Sequence, residues 1–93
     1  MQTTDINLSA YLVAKGQALA DARPIEYGRK YEFEFTDDEM VEKLTQEYYL
    51  GKGLINPYEY VIAQKSLRNI ILNYKPKTVN YVKGTIISKS IQQ

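Results

Sequence analysis

The chain has no cysteine, no histidine and no tryptophan. Without cysteine there is no disulfide, no thiolate nucleophile and no sulfur ligand; without histidine there is no imidazole base near neutral pH and no common zinc set. No apolar run approaches the roughly 20 residues that span a bilayer. The opening Met1-Gln2-Thr3-Thr4-Asp5 also lacks the basic start and apolar stretch of a secretory signal. No membrane partner is therefore expected, and a cytoplasmic location follows as the default. Since no pairing of nucleophile and base can be named, the expectation is a protein that is not an enzyme, needs no cofactor and holds no metal.

Acid is missing from one part of the chain. Residues 60–93 hold six Lys/Arg and no Asp or Glu, whereas residues 1–59 hold six Lys/Arg against eleven acids. The net charge of +1 thus hides a front part at −5 and a back part at +6. Such asymmetry points to a nucleic-acid or acidic-protein partner. Among aromatics, two phenylalanines stand against nine tyrosines, so most aromatic surface carries a hydroxyl and suits half-buried positions and interfaces. With 93 residues, 44% of them apolar and 25% charged, the chain has the length and balance of one globular domain with a modest core.

Local patterns lay out the domain. Leu8, Tyr11, Leu12 and Lys15 recur at helical spacing, predicting a helix over residues 6–15 with Thr4 or Asp5 as cap and Gly16 as stop. A helix this short is unstable alone in water, so it must dock. Tyr31, Phe33 and Phe35 alternate with Glu32 and Glu34, the signature of a half-buried strand. Residues 19–27 are its expected antiparallel partner, with Gly28 in the turn, Pro24 marking an edge, and Arg23 and Glu26 on solvent or near Glu32 and Glu34. A second helix is predicted from a Thr36 cap with Glu39 completing a capping box, a core face of Met40, Val41, Leu44 and Tyr48, and a stop at Gly51-Lys52-Gly53. The third has Asn56 as cap, Pro57 at its first position and Glu59 at the capping-box position, with a stripe of Tyr60, Ala63, Leu67, Ile70, Ile71 and Tyr74. Val79, Tyr81 and Thr85-Ile86-Ile87 then suggest short β pieces.

In chain order, several of these pieces resemble a known family. They are Thr3-Thr4-Asp5 with Leu8, Ala10-Tyr11-Leu12 and Gly16; the Phe33/Phe35 strand; Tyr48-Tyr49 with Gly51; and Asn56-Pro57 with Tyr60 and Leu67. The family comprises short uncharacterised domains from bacteria, phages and other mobile elements, classed as a domain of unknown function. The resemblance covers roughly residues 3–74. It implies an α-β-β-α-α domain and a mobile-element setting, and it assigns no catalytic or binding residues.

Three constellations have ordinary structural readings. Asp37, Asp38, Glu39 and Glu42 offer oxygen ligands for Mg²⁺ or Ca²⁺, but three of them fall in a first helical turn, where the macrodipole favours each by about 0.3–1 kcal/mol. Glu32 and Glu34 could act as acid and base, yet an alternating strand needs a polar outer face. Gly51-Lys52-Gly53 lacks the spacing of a phosphate-binding loop and reads as a helix stop.

The fold expected is α+β: a small α-β-β-α-α domain with an antiparallel hairpin packed against three helices. Residues 1–75 form the core domain and residues 76–93 a basic C-terminal tail, extended or adding a strand. A lone hairpin is marginal in water, so a homodimer is a further expectation. The expected function is that of a non-enzymatic accessory module of a phage or mobile element. It would bind nucleic acid, single strands favoured, through Lys65, Arg68, Lys75, Lys77 and Lys83, with Tyr74 or Tyr81 stacking on bases. The alternative is a protein-interaction or inhibitor module acting on a host or phage protein through its tail and exposed tyrosines.

Overall fold

Asp5 divides an extended segment from a helix in the computed structural model, which is described here for residues 1–74. Its carboxylate accepts from the Asn7 and Leu8 amides at 2.9 and 3.1 Å. Before it lies β1 (Gln2–Thr3) and after it α1 (Ile6–Ala14). Gly16 follows at φ +96°, with its amide bonded to the Val13 carbonyl and the Gln17 amide to Leu12, the double bond of a Schellman stop. The helix is buried well beyond the expected stripe, because Leu8, Ser9, Ala10, Tyr11 and Leu12 are all buried in succession. Ser9 is tolerated inside because its hydroxyl donates to the Asp5 carbonyl at 3.0 Å.

Next come β2 (Leu19–Ile25), a single tight turn at Glu26–Gly28, and β3 (Lys30–Phe35). Both β1 and β2 pair with β3 in antiparallel fashion, so the sheet order is β1-β3-β2. Pro24 accordingly lies on an edge strand. The third strand comes from the front of the chain, which the sequence reading did not anticipate; the proposed tail strand falls outside the described residues. Two residues carry too little alternation to be seen in sequence, and β1 exists through its pairing. The Phe35 amide donates to the Met1 carbonyl at 2.8 Å, and the Met1 nitrogen donates back to the Phe35 carbonyl at 2.9 Å.

A bulge between Leu19 and Asp21 sets which side chains share a face. Leu19 pairs with Phe35, but Asp21 already pairs with Glu34. The extra residue brings Leu19 into phase with Ala22 and Pro24, opposite Phe35, Phe33 and Tyr31. Phe33 and Phe35 are buried against the helices, each contributing about 1.5–3 kcal/mol by burial. On the outer face Arg23 meets Asp21 at 2.8 Å, Glu32 at 3.0 Å and Glu34 at 3.1 Å. The two strand carboxylates thus serve to hold one guanidinium. Those contacts, led by the Glu34 hydrogen bond, push the Arg23 guanidinium further above its ordinary range. Glu26 pairs instead with Lys30 at 3.7 Å.

Two more helices complete the layer, α2 (Glu39–Tyr49) and α3 (Pro57–Leu72). The cap of α2 is Asp38 and not Thr36; its carboxylate accepts from the Val41 amide at 2.9 Å. A carboxylate outranks a threonine hydroxyl at the positive end of a helix, which moves the start two residues on. Val41 and Leu44 are buried and Tyr48 is half-buried, whereas Met40 is half exposed, one position off the inward stripe. Gly51 ends α2 at φ +72° in the same motif as α1, through Gly51 to Tyr48 and Lys52 to Glu47. Asn56 caps α3 alone, accepting from the Tyr58 and Glu59 amides at 2.8 and 3.3 Å. Glu59 is exposed, and no return bond of a capping box forms among the described residues. Ala63 and Leu67 carry the α3 stripe into the core with Tyr60 and Ile71 beside them, while Ile70 is largely exposed. No helix among the described residues is long and apolar enough to cross a membrane.

The hairpin tip holds Tyr27 at φ 59° and ψ 33°, left-handed backbone, with its side chain fully exposed. That conformation costs an L-residue about 1–2 kcal/mol, more than the roughly 0.4–1 kcal/mol of chain entropy that glycine adds to the unfolded state. Tyr27→Gly is therefore expected to stabilise the domain by about 0.5–1 kcal/mol. The check is a higher urea midpoint at unchanged m value.

Candidate functional site

Four residues of α3 point inward, Tyr60, Ala63, Leu67 and Ile71, and Tyr74 just after the helix continues their stripe. At 3.6 residues per turn, Tyr58, Val61, Ile62, Lys65, Arg68, Asn69 and Leu72 occupy the opposite half of the circumference. All seven are exposed. Leu72 is 80% exposed, Tyr58 73%, and Val61 and Ile62 44% each, so four large apolar side chains share this face with two cations. Leu54, 82% exposed, stands just before the helix. Lys65 and Arg68 have no ion-pair partner among the described residues.

Of the sequence-predicted binding residues, Lys65 and Arg68 are therefore brought together on one open helix face. Tyr74 is not on it. Its ring meets Tyr31 edge-on, with centroids 5.8 Å apart, and it is half-buried against the sheet rather than presented for stacking. Lys75, Lys77, Tyr81 and Lys83 lie outside the described residues. Sequence reasoning missed Tyr58, Val61, Ile62 and Leu72. A usable signal was present, since α3 carries apolar residues around most of its circumference while one stripe is enough to dock it.

A second concentration of chemistry lies where α1, the end of α2 and the start of α3 meet. Tyr11, Tyr48, Gly51, Gly53, Ile55 and Tyr60 line a cleft of about 200 Å³. The Tyr11 and Tyr48 rings lie 5.5 Å apart at 44°, and Tyr48 meets Tyr49 at 5.3 Å and 75°. Tyr49 donates to Asp5 at 3.2 Å, and Tyr60 donates to the Asn7 carbonyl at 3.3 Å. The Tyr11 hydroxyl is buried without a hydrogen-bond partner among the described residues.

Burial, and then the Glu47 charge, push the Tyr11 hydroxyl up from its ordinary value. Burial also raises Tyr48, with Asp5 and Tyr60 adding to it. Tyr49 is raised by desolvation where its hydroxyl meets Asp5, although most of its ring is exposed.

The acidic residues of α2 form no such site. Asp38 is engaged as the cap, and no cluster of three acids suited to a metal ion occurs among the described residues. Comparison with known protein families, characterised proteins and solved structures returns no match. The functional reading therefore rests on the residues themselves.

Gly53 allows the cleft to close. A Cβ at that position would fall 2.6 Å from the Tyr11 hydroxyl and 2.7 Å from the ring carbon that bears it. Gly53→Ala must displace a buried ring, and a destabilisation of about 1–3 kcal/mol is expected in chemical denaturation.

The raised tyrosines give a pH dependence with a definite sign. A tyrosine whose folded value lies above its unfolded one, about 10, stabilises the fold fully below that value and loses the contribution as pH rises through the folded one. Stability should fall steadily above about pH 10. Phenolate absorbance should show Tyr11 and Tyr48 titrating late, together with unfolding. Phenylalanine at both positions should reduce the late phase to the share of Tyr49.

Proposed function

We propose that the chain is a non-catalytic protein-interaction module that docks through the outward face of α3. The partner surface would be apolar with carboxylates near its centre. The observation that carries this reading is the grouping of Tyr58, Val61, Ile62 and Leu72 around Lys65 and Arg68 on a helix whose opposite side already holds the core. Exposed apolar side chains set beside charge have the composition of a recognition surface. Tyrosine and arginine are the side chains that most often dominate binding energy there.

The cations contribute by steering and by excluding wrong partners. A nucleic acid is the less favoured occupant of the same face. Among the described residues it carries two cations, exposed apolar side chains flank them along the helix, and Tyr74 is turned into the fold. The chemistry of the sequence agrees with a binding role, since neither histidine nor cysteine is present to act as base or nucleophile.

The test places a benzophenone side chain at position 62, and as a control at position 27, in the protein expressed in its native cells. A discrete protein adduct is expected from position 62 alone. It should resist nuclease and fall at least about tenfold in Lys65→Glu/Arg68→Glu, with thermal unfolding unchanged. Nuclease-sensitive adducts would overturn the reading, as would oligonucleotide binding abolished by the same double variant with a log–log salt slope of about −0.7 per phosphate.

A further inference from the structure

The cleft between α1, α2 and α3 is walled mainly by aromatic rings. Three tyrosines form its walls, Gly51 and Gly53 add no side chain to it, and Ile55 contributes an apolar surface. Gly53 lies so close to Tyr11 that any larger residue there would strike the ring. The Tyr11 hydroxyl is enclosed beside Gly53 and the Leu54 backbone. Two carboxylates stand near this cluster: Asp5, bonded to Tyr49, whose ring packs on Tyr48, and Glu47, next to Tyr48 in the chain. The faces of aromatic rings are themselves negative. A cation is therefore the charge that these ring faces favour.

The molecule already places one cation on this cluster. Lys15 sits at the C-terminal cap of α1 with its ammonium 5.7 Å from the Tyr11 ring centre, near the limit of cation–π attraction. Its side chain is exposed and reaches the ring from outside the cleft lining.

From this geometry we infer that the Tyr11–Tyr48–Tyr60 cleft is a binding site for a small alkylammonium cation of trimethylammonium size. The walls supply cation–π attraction, Asp5 and Glu47 supply a complementary field, and a cleft of about 200 Å³ accepts such a head group. The site is separate from the outward face of α3, and its test does not depend on that face.

The probes are choline and 3,3-dimethylbutan-1-ol, which share a shape and differ in charge, titrated into the full chain while tyrosine ring signals are followed by NMR. Choline is expected to shift Tyr11, Tyr48 and Tyr60 and to bind about 3- to 30-fold tighter than the neutral isostere. Glu47→Gln leaves the aromatic walls in place and should weaken choline alone. Lys15→Gln removes the competing cation and should strengthen it. Tyr48→Leu should lower the preference for charge, and Tyr60→Leu serves the same purpose if the first variant does not fold. Equal binding of the two probes, no binding of either, shifts confined to other tyrosines, or a charge preference that loss of a wall leaves unchanged would each overturn the assignment.

Discussion

Burial of α1 on nearly every side is the constraint from which the rest of the domain follows. Five consecutive residues, Leu8 to Leu12, are buried, and a nine-residue helix has no stability of its own in water. It persists because the sheet, α2 and α3 surround it, and they in turn bury Phe33, Phe35, Val41, Leu44, Ala63 and Leu67 against it. The ends of α1 must therefore be finished internally. Asp5 accepts from the Asn7 and Leu8 amides and the Gly16 stop engages the Leu12 and Val13 carbonyls, so the most enclosed helix is capped at both ends.

Tyrosine takes much of the place that phenylalanine and leucine fill in other small cores, and each hydroxyl that goes inside has to end somewhere. Tyr49 reaches Asp5 and Tyr60 reaches the Asn7 carbonyl. Asp5 thereby links the start of α1 to the end of α2, because one carboxylate oxygen caps while the other accepts from Tyr49. Tyr11 is the exception, left without a partner beside Gly53. Helix connection, ring packing and the absent Cβ at Gly53 form one unit, and the cleft lies within it.

The charge asymmetry acquires a partial structural meaning. In the front part much of the acid is structural: Asp5 and Asp38 cap helices, while Asp21, Glu32 and Glu34 hold Arg23. In the back part Lys65 and Arg68 stand on the open side of α3 among Tyr58, Val61, Ile62 and Leu72. Together with that apolar surface they make an exposed face of mixed character rather than a purely electrostatic one.

Local periodicity and turn chemistry determined the α+β class, all three helices, the hairpin, the edge position of Pro24 and the stops at Gly16 and Gly51, because these depend on neighbours a few residues apart. The same local view put the α2 cap at Thr36, since a hydroxyl three residues before Glu39 matches the capping pattern and says nothing of the backbone that favours Asp38. It grouped Met40 and Ile70 with the core because period alone does not fix how wide the buried stripe is. It also left β1 unseen. Lys65 and Arg68 were legible as a pair, but Tyr74 read as available and is instead held by Tyr31, 43 residues away in sequence. Only the tertiary structure decided those points, along with the bulge that aligns Leu19 with Ala22, the close approach of Gly53 to Tyr11 and the open apolar face of α3. Each is set by contacts between segments distant in the chain, for which a single sequence carries no periodic signal.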